Sequence, residues 1–328
     1  MLSRAADAVY WMNRYVERAE NVARFIDVYH NLTLGGEDNA ADQWSPLIDA
    51  SGDHTVFAQQ YGEPTRENVL KFLTFDTNNP NSILSSIARA RENGRAVREV
   101  MSAAMWEELN KFYFLVTNAW RYEEVLHDIP SFCNQVKLAS HALLGVTYST
   151  MSHGEAWNFA RIGRMIERAD NTSRILDVQY YLLQPESGAI HGSLDVVRWS
   201  ALLRSTTALE MYRREHGKIV PLKVVDFLIL DRSFPRSIHF CVIHAEESLR
   251  RITGNPVGTF RLRCEQLLGR LRAELDYTGI QDILDRGLHE FIDTFQTQLN
   301  QVGMAIQHDF FTIPDSAQRL KGAITALT

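Results

Sequence analysis

The sequence predicts an all-α protein, a helical bundle of two tandem pseudo-repeats, residues 1–150 and 151–328, forming one compact unit. Three observations carry that expectation. Among 328 residues there are only nine prolines and few β-branched runs, so long stretches are free to be helical. Segment after segment places apolar residues at helical spacing. Finally, the stretch from Arg14 to Val28 (RYVERAENVARFIDV) returns 150 positions later, from Arg164 to Val178 (RMIERADNTSRILDV), with eight of fifteen residues identical.

Taken in order, Ser3 opens a first helix over about Arg4–Leu34, which Gly35-Gly36 stops. The acidic loop Glu37–Asp42 follows, then a helical stretch from Trp44 to Tyr61 with a break at Ser51-Gly52-Asp53. Pro64-Thr65 starts another helix that ends near Phe75, and Asp76-Thr77-Asn78-Asn79-Pro80 has the residue types of a turn. A longer helix begins near Asn81, with Ile83, Ile87, Ala90 and Val97 on one face. Helices over Met105–Asp128 and Ser131–Thr150 close the first half, parted at Pro130. Ser152-His153-Gly154-Glu155 has capping-box spacing and marks a new start. After a linker around Pro185–Gly188 the offset becomes 155: Trp44, Leu47 and Gly62 match Trp199, Leu202 and Gly217. The block Phe72-Leu73-x-x-Asp76-x-x-x-Pro80-x-Ser82-Ile83 matches Phe227-Leu228-x-x-Asp231-x-x-x-Pro235-x-Ser237-Ile238. Several matched blocks in one order imply a tandem duplication, with Pro256–Leu275 and Gly279–Phe310 as the most drifted helices.

The repeated stretch supplies the candidate site. Its apolar positions differ between copies, whereas Arg14, Glu17, Arg18, Asn21, Arg24 and Asp27 reappear unchanged as Arg164, Glu167, Arg168, Asn171, Arg174 and Asp177. Exposed polar residues drift most freely because most surface substitutions cost little, so a shared constraint acts on this set. At about 100° per residue, Met12, Tyr15, Val16, Ala19, Val22, Ala23 and Ile26 form one stripe, with Arg14, Glu17, Arg18, Asn21 and Arg24 opposite. One reading is a solvated face laced by weak short-range pairs such as Arg14–Glu17. A second is a polar groove whose guanidinium forks take carboxylate or phosphate, and the two matching copies favour it. A third is a buried ion network that fixes helix register. Glu20, Asp27, Asp170 and Asp177 fall toward the helix flank on this projection. Secondary candidates are Asp76 and Asp231, either turn residues or groove carboxylates, and Arg91-Glu92-Asn93, whose counterpart is Glu246-Glu247-Ser248.

Other chemistries lack their motifs. The net charge of −6 argues against a broad nucleic-acid footprint. No apolar run approaches the roughly 20 residues that span a bilayer, and the first residues lack a signal-peptide core, so the cytoplasm is the expected compartment. Cys133, Cys241 and Cys264 form no CxxC pair and read as small core residues. Glu124-x-x-His127 is a lone E-x-x-H where di-iron bundles use two, and His239 and His244 are five apart, so no metal is expected. Phosphate-binding glycine loops and the G-x-S-x-G nucleophile motif are missing, and no cofactor is expected. The aromatics of Trp106–Tyr122 read as core or as an inter-helix seam.

With its doubled Glu-Arg-Ala-[Glu/Asp]-Asn signature the chain resembles the bacterial alpha-E family. The resemblance also rests on the opening Arg4–Asn21, on Ala88–Asn93 and on Phe227–Ser237. It implies an all-helical fold and an association, by gene neighbourhood, with a circularly permuted ATP-grasp ligase and a transglutaminase-like peptidase. The expectation is a helical partner of a peptide or amide ligase, binding a peptide, a carboxylate or a ligase element. An enzyme of the same pathway with Glu17 or Glu167 as acid or base is the alternative, and a structural scaffold the third. Arg neighbours in sequence should depress both glutamates and make them poor acids, which leans away from catalysis. Arg161 and Gly163 stand where the first copy has Trp11 and Asn13.

Overall fold

Two long helices organise the molecule: α1 (Ser3–Thr33) and α8 (Glu155–Leu183). The structure, a computed structural model, describes residues 1–33, 44–122, 128–183 and 193–312. Between the two long helices the chain forms α2 (Ser45–Ser51), α3 (His54–Tyr61), α4 (Arg66–Thr74), α5 (Ile83–Ala96), α6 (Ala103–Tyr122) and α7 (Ile129–Thr150). After them come α9 (Ser193–Ser205), α10 (Leu209–His216), α11 (Pro221–Leu230), α12 (Ile238–Thr253), α13 (Arg263–Tyr277), α14 (Ile280–Arg286) and α15 (Leu288–Ile306). A π-helical turn, Gln307–Phe311, ends the described chain. Among the described residues there is no strand, and no helix is long and apolar enough to cross a membrane.

The boundaries follow local chemistry. Thr65, Ser82 and Ser237 accept from the backbone N–H three residues on, at 3.3, 3.1 and 3.1 Å, and so cap α4, α5 and α12. Gly52, at φ 76°, makes the anticipated break between α2 and α3. Three boundaries differ from expectation, the first being the expected Gly279–Phe310 helix, which Gly287 at φ 94° divides into α14 and α15. Among the described residues the Ser152 hydroxyl accepts no backbone amide: α8 starts at Glu155, whose carboxylate instead takes the Met1 amino group at 2.6 Å. Residues 256–262 are not helical, because the Glu265 carboxylate accepts the Arg261 and Leu262 amides and sets the start of α13 there. Gly35-Gly36, Glu37–Asp42, Glu124, His127 and Pro185–Gly188 lie outside the described residues.

Helices α1 and α8 run parallel, since their contacts advance in step: Met1 with Glu155, Tyr10 with Gly163, Glu17 with Arg168. Helix α1 also packs on α5 and α7, with α6 outside them; α8 packs on α12 and α15, with α13 outside those. One apolar core, from Ala5 to Phe311, runs through all of this, and the stripe Met12, Val16, Ala19, Val22, Ala23 and Ile26 is buried in it. Cys133, Cys241 and Cys264 are buried free thiols. His239 is buried between the Leu230 carbonyl and Asp276. Of the α6 aromatics Phe112 is core, whereas Phe114 and Trp120 are exposed.

The closest backbone approach explains Gly163. A Cβ there would overlap the Tyr10 carbonyl oxygen, and backbone cannot swing aside as a side chain can. Gly163→Ala is therefore expected to destabilise by about 1–3 kcal/mol through overpacking. Thermal melting beside Gly145→Ala, where a Cβ meets nothing, checks this. Equal melting temperatures for the two would show that the helices can separate freely.

Candidate functional site

The polar stripes of α1 and α8 face one another, so the residues that would be solvated on isolated helices are enclosed between them. The pairing is crossed. Glu17 of α1 receives Arg168 of α8 in a two-pronged contact, Nε and Nη2 each 2.8 Å from its oxygens. Glu167 of α8 receives Arg18 of α1 at 2.6 and 3.1 Å, and Arg14 at 2.7 Å. The local Arg14–Glu17 pair of the solvated-face reading does not form. Burial alone would raise the Glu167 carboxyl, but the Arg18 and Arg14 guanidiniums outweigh it and hold the group down to about 2. Glu17, also buried, is likewise held below the ordinary carboxylate range by Arg168 and Arg236. The expected depression is present, but its causes are Arg168 of α8 and Arg236 before α12 for Glu17, and Arg18 and Arg14 of α1 for Glu167, and not the Arg neighbours in sequence.

From here the two sets diverge. Around Glu17 the network is closed. Arg236, which precedes the cap residue Ser237, donates from Nη1 to Glu17 Oε1 and Asn21 Oδ1, both at 3.0 Å, and from Nη2 to Glu20 Oε1. Arg24 forks onto Glu20 at 2.9 and 2.6 Å and donates to Thr207, and Ser140 donates to Glu20 at 2.6 Å. Glu17, Glu20, Asn21, Arg24, Arg168 and Arg236 are all buried. Glu20, placed on the flank by the helical projection, is thus central.

Around Glu167 the network is open. A cavity of about 240 Å³ lies beside it, and its charged lining is Arg14, Arg18, Arg174, Glu167 and Asp170. Asn81, Asn171, Asn300 and Ser51 add polar groups, and Val22, Phe25, Leu47 and Leu73 form the apolar wall. Each nitrogen of Arg18 has a partner, with Nη1 donating to Asn81 at 2.9 Å. Arg174 is not: its Nε donates to Asp170 Oδ2 at 2.9 Å, and among the described residues its terminal nitrogens have no hydrogen-bond partner. Asp170 Oδ1 is buried without a partner. Asn171 donates to the Glu167 carbonyl at 2.7 Å, and its oxygen accepts nothing among the described residues.

The ten repeated residues therefore do not share one groove. Arg14, Arg18, Glu167, Asn171 and Arg174 meet at the cavity, whereas Glu17, Asn21, Arg24 and Arg168 lie in the closed set. Arg164 belongs to neither. It makes no hydrogen bond among the described residues, its Nε is buried, and burial followed by repulsion from Arg168 pushes its guanidinium down to about 10. Arg164→Met is accordingly expected to leave the denaturation midpoint unchanged or higher. Arg14→Met should instead cost about 1–3 kcal/mol by removing one charge-assisted bond from Glu167, which Arg18 still holds. A loss at Arg164 as large as that at Arg14 would mean Arg164 has a partner in solution.

The secondary candidates are elsewhere. Asp76 accepts from the Asn78 amide at 2.8 Å and from Tyr61; Asp231 accepts from the Ser233 and Phe234 amides at 2.7 and 2.6 Å. Both stabilise turns. Arg91 bonds Asn110 at 2.8 Å and covers the Tyr113 ring, Glu92 pairs with Arg95 at the surface, and Asn93 bonds the Arg89 carbonyl. The reading of sequence alone missed Arg236, Asn81, Glu20 and Asp170. One signal was available for the first two: in the matched Pro-x-Ser blocks the middle residue is Arg236 in one and Asn81 in the other.

Comparison with known proteins agrees with this architecture. The chain is similar to uncharacterized proteins of Mycobacterium bovis and Mycobacterium tuberculosis, 24% identical over 347 aligned residues, covering 97% of this chain. It spans only 38% of the length of those relatives. No solved structure matches it. Residues 1–311 match the Alpha-E family, described as a predicted alpha-helical domain with a conserved ER motif. The chain belongs to the Alpha-E family.

Proposed function

We propose that this chain is a helical accessory of an ATP-grasp-type amide ligase system and holds a carboxylate in the cavity beside Glu167. The carboxylate belongs to an amino acid, a peptide end or a ligase side chain. The observation that carries this reading is Arg174, whose two terminal nitrogens have no hydrogen-bond partner among the described residues at the edge of a cavity that Arg14 also lines. A guanidinium fork with both prongs free matches a carboxylate in two parallel bonds. Association with the ligase and with a transglutaminase-like peptidase rests on the family resemblance, and three unpaired buried thiols accord with a reducing cytoplasm. Catalysis by glutamate is the weaker reading, because a carboxyl held near about 2 is a poor acid or base at neutral pH.

The reading includes a duplication of a unit of about 150 residues. Its support is the order of helices after α1 and after α8, the matched caps Ser82 and Ser237, and the crossed pairs Glu17–Arg168 and Glu167–Arg18. Of the two sets, the one around Glu17 acts as a register-fixing network and the one around Glu167 as the site.

The test is titration of the protein with acetate and glutamate, with pull-down of the ligase in parallel. Arg174→Lys keeps the charge and removes the fork, and is expected to weaken carboxylate binding about tenfold. Unaltered carboxylate affinity and ligase capture in that variant would sink the proposal.

A further inference from the structure

We propose that the same cavity has a cation subsite next to its carboxylate subsite, and that its ligand is a small guanidinium-bearing carboxylate of the arginine type. This rests on the duplication and the cavity reading above, and deepens both.

Arg236 is the internal template. In the closed set its guanidinium is held by three acceptors, Glu17, Glu20 and Asn21. The residues 150 positions on are Glu167, Asp170 and Asn171, and all three line the cavity. The residue matched to Arg236 is Asn81, whose short side chain stops at Arg18 and at Asp53, 3.1 Å away. Glu167 already receives Arg14 and Arg18, and Asp170 Oδ2 receives Arg174, which leaves Asp170 Oδ1 and Asn171 Oδ1 as the cavity acceptors that hold no guanidinium.

A second observation is independent of the matching. Asp170 Oδ1 is buried with no hydrogen-bond partner, and Asn171 Oδ1 accepts nothing among the described residues. An unsatisfied buried carboxylate oxygen is costly. The carboxylate torsion of Asp is broad, so a small turn presents that oxygen to a donor in the cavity.

Charge does not forbid a further cation. The closed set places Arg24, Arg168 and Arg236 around two carboxylates, Glu17 and Glu20. The open set likewise has Arg14, Arg18 and Arg174 around Glu167 and Asp170, and a ligand that brings a carboxylate together with its guanidinium leaves that balance unchanged. The ligand's guanidinium would sit on Asp170 and Asn171 and its carboxylate on Arg174. At about 240 Å³ the cavity is smaller than the roughly 300–1,000 Å³ usual for drug-sized ligands, which suits a single amino acid.

The experiment is calorimetric titration of the full chain with methylguanidinium, pentanoate and L-arginine. L-Arginine should bind at least about tenfold more tightly than either half-ligand. Asp170→Asn should weaken methylguanidinium and L-arginine by about tenfold and leave pentanoate within about twofold. Asn81→Arg, which restores the matched residue, should raise the melting temperature and abolish methylguanidinium binding. If pentanoate binds as well as L-arginine, the cation subsite is overturned and the carboxylate reading stands. If methylguanidinium binds and pentanoate does not, the carboxylate reading fails and the cation subsite stands. No binding by any of the three overturns both. Should Asp170→Asn not fold, Asn81→Arg decides, and a lowered melting temperature with methylguanidinium binding intact overturns the cation subsite.

Discussion

Glu17→Ala lowers the stability of the folded protein by about 3–5 kcal/mol, measured as a fall in urea midpoint at constant slope. Glu17 is 2% exposed and is the common acceptor of Arg168 and Arg236, both of them buried. Removing the carboxylate strands the Arg168 guanidinium, takes one of three acceptors from Arg236, and empties space between α1 and the start of α12. Glu92→Ala is the contrast. Glu92 pairs with Arg95 on the surface, and such pairs contribute about 0–1 kcal/mol. A shift for Glu17→Ala no larger than that for Glu92→Ala would return the polar stripe to the solvated-face reading.

Acid unfolding follows from Glu167. Its carboxyl titrates near about 2 in the folded protein against an ordinary value of 4.5, so the folded state binds the proton less readily than the unfolded state does. The resulting stability is fully present above about 4.5 and is lost as pH falls toward about 2. The shift corresponds to roughly 3 kcal/mol. Urea midpoints collected between those pH values should decline steeply in the wild type. Glu167→Gln should start from a lower midpoint at neutral pH and show a shallower decline, because one of the groups that takes up a proton has gone. Parallel curves for the two proteins would mean that Glu167 is not tied to Arg14 and Arg18.

The helices were legible because their signals are local: Thr65, Ser82, Gly52 and the Pro64 and Pro80 punctuation act within a few residues. The repeated stretch was legible for a different reason, since Arg14, Glu17, Arg18, Asn21 and Arg24 return unchanged among drifting apolar neighbours. What a single-helix projection cannot contain is the partner across the interface. It paired Arg14 with Glu17, where the folded chain pairs Arg14 with Glu167. It set Glu20 aside, because nothing on α1 alone indicates that Arg236 and Ser140 converge on it. The split into a closed and an open set depends on the reach of one side chain, Arg236 against Asn81. That difference acquires meaning only when α12 and α5 are placed against their long helices.

The crossed pairing also bears on how the chain acquires its structure. Glu17 meets Arg168 across 151 positions and Arg236 across 219. During synthesis, an emerging amino-terminal segment therefore carries a row of charged groups whose counterions have not yet been made. Contacts of such separation slow folding, since chain closure precedes any reward from them. Helix α1 has α5 and α7 as neighbours from its own half, but its polar face is completed late, after Arg236 at the start of α12 has left the ribosome. A truncated product ending before α8 would display these charges unpaired on the face that α8 otherwise covers, a surface suited to capture by chaperones rather than to independent folding.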